Sequence, residues 1–418
     1  MGYLWLLFLL LFLPEFKWFL KIDKDILNAV STTRTNDYIP VIITSESKRE
    51  LYEKVEVLIT KYSGKIKYHL PIIHGYAVEI PANKIKHIAS TPCVKYIHYD
   101  ATVNCLLNIA TKAIKADIAH EFGYTGKKVT VAVVDTGIYP HPDLTKPENR
   151  IIAFKDFVNN KTSPYDDNGH GTHVAGEIAG NGLSSGGKYR GIAPNAKLVG
   201  VKVLNQDGGG NISDVIAGVQ WVVENKDKYN IKVMNLSLGA EPRPFADPLV
   251  SAVNTAWKKG IIVVAAAGNS GPKKGTISSP GISPIIITVG AVDDKRTPET
   301  SDDTIANFSS RGPTPSGKIK PDVVAPGVNI TSLNSDKSYI PDGSNSSIMD
   351  LKEAYISKSG TSMATPIVAG AIALLLEKNP ELTPDKVKEM LKKSAVDLKA
   401  ESIAQGAGEI NIAKLLNL

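Results

Sequence analysis

The stretch VTVAVVDTG, residues 129–137, is a nearly unbroken apolar run that stops at an aspartate and a glycine. A strand with no polar alternation must be covered on both faces, which is the situation of strands in a parallel sheet flanked by crossover helices. Four more runs share this character: AKLVGVKVL (196–204), IKVMNLSLG (231–239), IIVVAAAGN (261–269) and IIITVGAV (285–292). Between and after them, ISDVIAGVQWVVENK (212–226), ADPLVSAVNTAWKKG (246–260) and TSMATPIVAGAIALLLEKN (361–379) read as helices. This alternation predicts a doubly wound, mostly parallel α/β domain over residues 109–418. Its ligands should sit at the carboxyl ends of the strands. Three of those ends read DTG, SLG and AGN, and a site is expected there.

The chain before this domain has a different grammar. YIPVIIT (38–44) is strand-like, and SKRE (47–50) matches a capping box with Ser47 as N-cap and Glu50 three residues on. Leu51, Val55, Leu58 and Tyr62 recur at helical spacing, with Gly64 as the stop. Two strand-like runs, KIKYHLPII and HGYAVEI, are followed by a short helix after Pro81 and by VKYIHYDATV. The order βαββαβ over residues 38–108 predicts a small α+β ferredoxin-like unit. Residues 328–359, rich in serine, asparagine and aspartate, interrupt the later α/β pattern and read as a surface excursion.

Residues 1–37 form a leader with an apolar run from Tyr3 to Leu13. No positive residue precedes the run and no small-residue cleavage site follows, so it is a poor export signal. Its eleven residues are also too few to span a bilayer, which takes about 20. Were it to insert, Lys17, Lys21 and Lys24 behind it would hold the remainder in the cytoplasm. The leader is therefore the segment through which the chain would associate with a membrane. A cytoplasmic or membrane-peripheral location is expected, with secretion as the alternative.

Bulk composition narrows the class. Of 418 residues, 43% are hydrophobic and 22% charged, which excludes a disordered or collagen-like chain. The net charge of +6 is spread along the sequence without a basic stripe, so nucleic acid is not an expected partner. Two cysteines, Cys93 and Cys105, cannot make a disulfide scaffold. Free thiols are expected, with a single bridge between the two as the alternative.

Four short stretches carry candidate chemistry, and each has a plain structural reading beside it. Asp135, at the mouth of a buried strand, is costly unless a partner holds its charge; it could equally be a loop aspartate. NGHGTHVAG (168–176) offers His170 and His173. As metal ligands they would need Glu177 and a further donor, but neither H-E-x-x-H nor H-x-x-E-H is present, so no metal site is expected. As a base, His170 stands where the chain turns into a helix, while His173 one turn further on suits packing. Ser362 follows Gly360 at a helix entry, a place for either an N-cap or a nucleophile beside helix amides. Asn269 in AAGNSG could donate to a developing oxyanion or simply form a turn.

Taken together, these stretches resemble the subtilisin-like serine proteases, the subtilases. VDTGIYPHPDL, NGHGTHVAG, AAGNSG and GTSMATPIVAG occur in the family's order over roughly residues 110–415. The resemblance implies a serine endopeptidase acting on protein and peptide substrates. Asp135 would orient His170, and His170 would take the proton of Ser362. Asn269 and the Ser362 N–H would hold the oxyanion. Ser237, Leu238 and Gly239 match the segment that pairs with substrate as an added strand. Residues 38–108 resemble the family's inhibitory propeptide, which implies a self-processing zymogen with its own propeptide as intramolecular inhibitor. Within the family, FKW near the start, SSGGKYRGIAP and the insertion at 328–359 resemble the intracellular alkaline, AprX-type branch.

Two departures stand out. Ile367 occupies a position where many members have histidine, which should alter packing and leave the chemistry intact. GNGLSSGGKYR (180–190) lacks the asparagine-rich calcium loop of secreted members, although Asp143 matches the family's calcium-ligand aspartate. No cofactor is needed for the chemistry, and a tight structural calcium is not expected at Asp143.

Overall fold

The computed structural model of the protein describes residues 14–23, 26–27, 29–30, 37–47, 49, 51–100, 102–105, 113–243, 246–338 and 354–418. The apolar run Tyr3–Leu13, Glu50 of the capping box and the middle of the excursion (339–353) lie outside the described residues. The chain divides into two compact units, one formed by 1–101 with 245–252 and the other by 102–244 with 253–418.

In the first unit, β1 (Tyr38–Thr44), β2 (Lys65–Leu70), β3 (Gly75–Pro81) and β4 (Tyr96–Tyr99) form a sheet of order β2-β3-β1-β4. Neighbours run antiparallel, with Tyr38 opposite Pro81 and Val41 opposite Tyr99. Helices α1 (Glu56–Lys61, continuing a wider turn from Leu51) and α2 (Ile85–Ala89) supply Ile59, Ile85 and Ile88 to one core with Val41, Ile43 and Ile80. This is the expected ferredoxin-like topology. The stop of α1 works differently from the sequence reading. The left-handed residue is Ser63, at φ 59°, and Gly64 donates its N–H to Ile59 O at 2.8 Å. Gly64 is needed because a Cβ there would strike Ile80 and Ile59.

Part of the stretch read as leader belongs to this unit. Pro14–Lys21 is a 3-10 helix, Ile22 and Ile26 lie in the core, and Lys21 Nζ donates to Val94 O at 2.6 Å.

The second unit holds the site. Its strands are β5 (Thr102–Cys105), β6 (Thr130–Asp135), β7 (Ile151–Asp156), β8 (Lys197–Lys202), β9 (Gly209–Asn211), β10 (Ile231–Leu236), β11 (Leu238–Gly239), β12 (Ile262–Ala266), β13 (Ile287–Asp293), β14 (Thr304–Ile305), β15 (Val323–Pro326), β16 (Ile330–Leu333) and β17 (Tyr355–Lys358). The main sheet runs β14-β13-β12-β10-β6-β8-β7, with β15 beside β13. Every pair is parallel except the edge pair β13–β14. Residues 130–135 of β6 are buried without interruption, as coverage on both faces demands.

The expected helices are α3 (His170–Ala179), α4 (Ile212–Asn225), α5 (Pro248–Lys258) and α6 (Thr361–Lys378). By length and composition α6 could cross a membrane, but 89% of it is buried inside the protein, so it is a core helix. It packs against α3 and against β10, β12 and β13. Two short sheets complete the unit: β16 with β17, formed by the ends of the excursion, and β11-β5-β9.

Candidate functional site

Three carboxyl ends of the main sheet converge on one region, as doubly wound topology dictates. At the end of β6, Asp135 is fully buried. Its Oδ1 accepts the N–H of Thr136 at 2.7 Å and lies 2.7 Å from Nδ1 of His170. A carboxylate oxygen accepts, so this bond places a proton on Nδ1 and makes Nε2 the ring nitrogen suited to take one.

The local sequence explains why His170 arrives there. Gly169, the residue before α3, has φ 98°, in the left-handed region that favours glycine. Asp166 ties the turn together. Its Oδ1 accepts from Gly169 N at 2.8 Å and from Thr136 Oγ1 at 2.9 Å, and its Oδ2 accepts from Thr172 N and Oγ1 at 2.8 and 2.6 Å. One carboxylate thus caps the helix and fastens it to the residue after Asp135. Gly171 is small of necessity, since a Cβ would collide with Gly137 O and crowd Asp135. Lys202, fully buried at the end of β8, donates to Thr136 O, Asp167 Oδ1 and Leu204 O at 2.6, 2.6 and 2.8 Å.

Ser362 sits in the first turn of α6, fully buried, and its Oγ donates to Ser237 O at 3.0 Å. Pro366 lies four residues on and has no N–H, so Ser362 O loses its helical partner. The Ser237 hydroxyl takes that place at 2.6 Å and itself accepts from Asn235 Nδ2 at 2.9 Å. Ser237 and Ser362 therefore bind each other twice. Asn269 Oδ1 accepts from Thr361 N at 2.9 Å and Oγ1 at 3.0 Å. With its oxygen occupied, the amide offers its Nδ2 donors.

Leu238 and Gly239, the next residues after Ser237, form β11 and pair antiparallel with β5. On its other edge β5 pairs with β9.

His173 belongs to the helix scaffold. Its Nδ1 lies 2.9 Å from Glu177 Oε1 and its Nε2 lies 3.1 Å from Ile356 O. Burial pushes His173 well below the usual imidazole range and Glu177 well above the usual carboxyl range. The pair is neutral, with Nε2–H donating to the carbonyl and Nδ1 accepting the Glu177 proton. Among the described residues no group of three His, Cys, Asp or Glu is placed to hold a metal. Cys93 is buried and outside any disulfide.

Of the predicted residues, Asp135 and His170 touch directly, Ser362 and Ser237 bond reciprocally, and Asn269 is held by the residue before Ser362. Leu238 and Gly239 edge the β5 ribbon. Asp166, Lys202 and Pro366 were not singled out from the sequence. The acid three residues before Gly169 is a capping signal that could have revealed Asp166.

The model of the subtilase family matches residues 126–408. The chain belongs to the subtilase family. It is 50% identical over 368 residues to the serine protease AprX of Bacillus subtilis, covering 85% of this chain and 82% of the relative. Subtilisin E of the same organism is 36% identical over 365 residues, covering 86% and 85%. Among solved structures, fervidolysin from Fervidobacterium pennivorans, described as a keratinolytic enzyme related to subtilisin, has a similar fold with TM-score 0.71 at 23% identity. That match covers 92% of this chain and 61% of fervidolysin. This subtilase is a serine-type endopeptidase, and its substrates are proteins.

A family member invites comparison at Asp143. Here Asp143 Oδ1 accepts from Ser184 N at 2.9 Å and Oδ2 from the Tyr355 hydroxyl at 2.6 Å. The Arg150 guanidinium donates to the carbonyls of Asp143 and Ala179, and burial lowers its pKa to about 10. Calcium requires roughly six to eight oxygen ligands. Both carboxylate oxygens of Asp143 already face hydrogen donors, and a cation stands beside them, so these residues do not fit a tight calcium site. Ile367 is fully buried, a packing residue of the subtilase core.

Proposed function

We propose that this subtilase cleaves peptide bonds through Ser362, His170 and Asp135 and is made as a zymogen that processes itself. Ser362 Oγ attacks the substrate carbonyl while His170 Nε2 takes its proton. Asp135 holds the imidazole in the required tautomer and balances its charge. Asn269 Nδ2 and the Ser362 N–H receive the oxyanion of the tetrahedral intermediate. Ser237, Leu238 and Gly239 bind substrate backbone by strand addition.

The observation that carries this reading is the 2.7 Å bond between His170 Nδ1 and buried Asp135 at a strand end. The βαββαβ unit ahead of β5 supports a propeptide role for residues 38–108 as folding aid and inhibitor, with residues 109–418 as the catalytic domain. The filled carboxylate of Asp143 supports catalysis and stability without a metal. A cytoplasmic or membrane-peripheral site of action fits the leader's composition.

Expression of wild type beside Ser362→Ala tests the reading. Wild type should accumulate a shortened form that digests casein and is stopped by a serine-directed phosphonyl fluoride but not by a chelator. Ser362→Ala should stay full length. Equal processing of both would refute self-cleavage, and casein digestion by Ser362→Ala would refute the nucleophile.

A further inference from the structure

We infer that Lys202 is a positioning residue for the reaction, gripping the Thr136 carbonyl so that the Asp135 carboxylate stays against His170. The inference rests on Asp135, His170 and Ser362 acting together, as proposed above, and adds the group that fixes the acid.

β8 lies between β6 and β7, and its last residue, Lys202, is in register with Asp135 on one side and Asp156 on the other. The next two residues hold the Asp135 backbone, since Val203 N–H and Leu204 N–H donate to Asp135 O at 2.9 and 3.2 Å. The Asp135 side chain depends on the residue that follows it. Thr136 N–H donates to Asp135 Oδ1 at 2.7 Å, and that same oxygen meets His170 Nδ1. A shift of Thr136 is therefore passed to the bond between acid and imidazole.

Thr136 is fastened at each of its polar atoms. Its hydroxyl donates to Asp166 Oδ1 at 2.9 Å and accepts from Gly171 N at 2.9 Å, which ties it to α3. Its carbonyl accepts from Lys202 Nζ at 2.6 Å. An ammonium has three donors. The other two contacts of Lys202 Nζ are Asp167 Oδ1 at 2.6 Å and Leu204 O at 2.8 Å. One cation thus joins the end of β6, the end of β8 and the turn ahead of α3. Lys202 is fully buried, and the centre of the Tyr165 ring lies 5.2 Å from its Nζ. Hydrogen bonds made out of water are stiffer than exposed ones, so the clamp is rigid. The Asp167 side chain, by contrast, is 25% exposed, and its ion pair can relax into solvent.

The test uses the full chain carrying Lys202→Met, which keeps the bulk and removes the ammonium, with Asp167→Asn as the comparison variant. On casein, processed Lys202→Met should lose about ten- to a hundredfold in kcat with KM changed by less than about twofold. Asp167→Asn keeps an acceptor for Nζ and should stay within about threefold of wild type. In a Ser362→Ala background, the downfield proton resonance of His170 Nδ1–H should move upfield in Lys202→Met and stay in place in Asp167→Asn. An unmoved resonance in folded Lys202→Met would overturn the inference whatever the change in kcat, because Lys202 would then not act through Asp135. So would an equal displacement in Asp167→Asn, which would transfer the role to the ion pair. Should Lys202→Met fail to fold, Thr136→Val decides by the same resonance, since an unmoved signal would show that Thr136 does not govern the bond. Full activity of Asp135→Asn would instead remove the reading on which the inference rests.

Discussion

Glu177→Gln tests whether the buried pair on α3 is neutral. In a Ser362→Ala background, which prevents digestion, the change keeps a donor opposite His173 Nδ1, an amide N–H in place of a carboxyl O–H. At pH values below the unfolded carboxyl's titration near 4.5 the two proteins should differ by less than about 1 kcal/mol, since one hydrogen bond replaces another. Above it they should diverge. The folded carboxyl is raised, so it keeps its proton after the unfolded one has lost it. The stability it contributes is full below 4.5 and is lost as pH rises toward the folded value. Each pH unit in that window costs the wild type about 1.4 kcal/mol, and the glutamine variant nothing. At roughly 2 to 4 °C per kcal/mol, the variant should gain about 3 to 6 °C in relative Tm per pH unit. His173 titrates in both proteins, so its opposite dependence cancels in the difference. Calorimetric Tm values between pH 4 and 8 supply the measurement. A Tm difference that stays flat or falls with rising pH would mean that Glu177 is ionised against an imidazolium, and the neutral-pair argument would fail.

Asp135→Asn should lower kcat by about ten thousandfold with KM little changed, the scale known for loss of the triad acid in serine proteases including subtilisin; a loss under tenfold would remove Asp135 from the machinery. Asn269→Ala should cost roughly a hundred- to a thousandfold in kcat, a figure taken from subtilisin, and lower stability by about 1–3 kcal/mol because Thr361 loses its acceptor; a loss under tenfold in kcat from folded protein would remove Asn269 from the oxyanion site. Tyr355→Phe removes the hydroxyl that Asp143 accepts and should destabilise by about 1–3 kcal/mol, while a chelator leaves the wild-type Tm where it is; a chelator-induced drop would show that a metal helps hold this region.

Much of the α/β unit was legible because buried parallel strands leave an unmistakable apolar signature, and Asp135 stood out as a charge ending such a run. His170 and Ser362 could be picked from glycine-flanked helix starts. Other features depend on partners remote in the chain. Ile22 and Ile26 look like anchor composition until the core they enter is known. Nothing local in TVNC says that it pairs with Leu238 and Gly239 on one edge and residues 209–211 on the other. Gly64 reads as the helix stop, yet the positive φ falls on Ser63 and the glycine answers to the bulk of Ile80. Asp166 was hidden beside Asp167 and Asn168, either of which could have been the cap by sequence alone.

The proline four residues after Ser362 reaches beyond local geometry. A peptide copying α6 would carry an unfilled carbonyl at Ser362, and water would compete for it. Only the hydroxyl supplied from the end of β10 completes that turn inside the protein. Completing the first turn of α6 is thus an outcome of assembling the sheet, so a chain that has formed its helices but has not yet docked them would leave the Ser362 carbonyl to solvent.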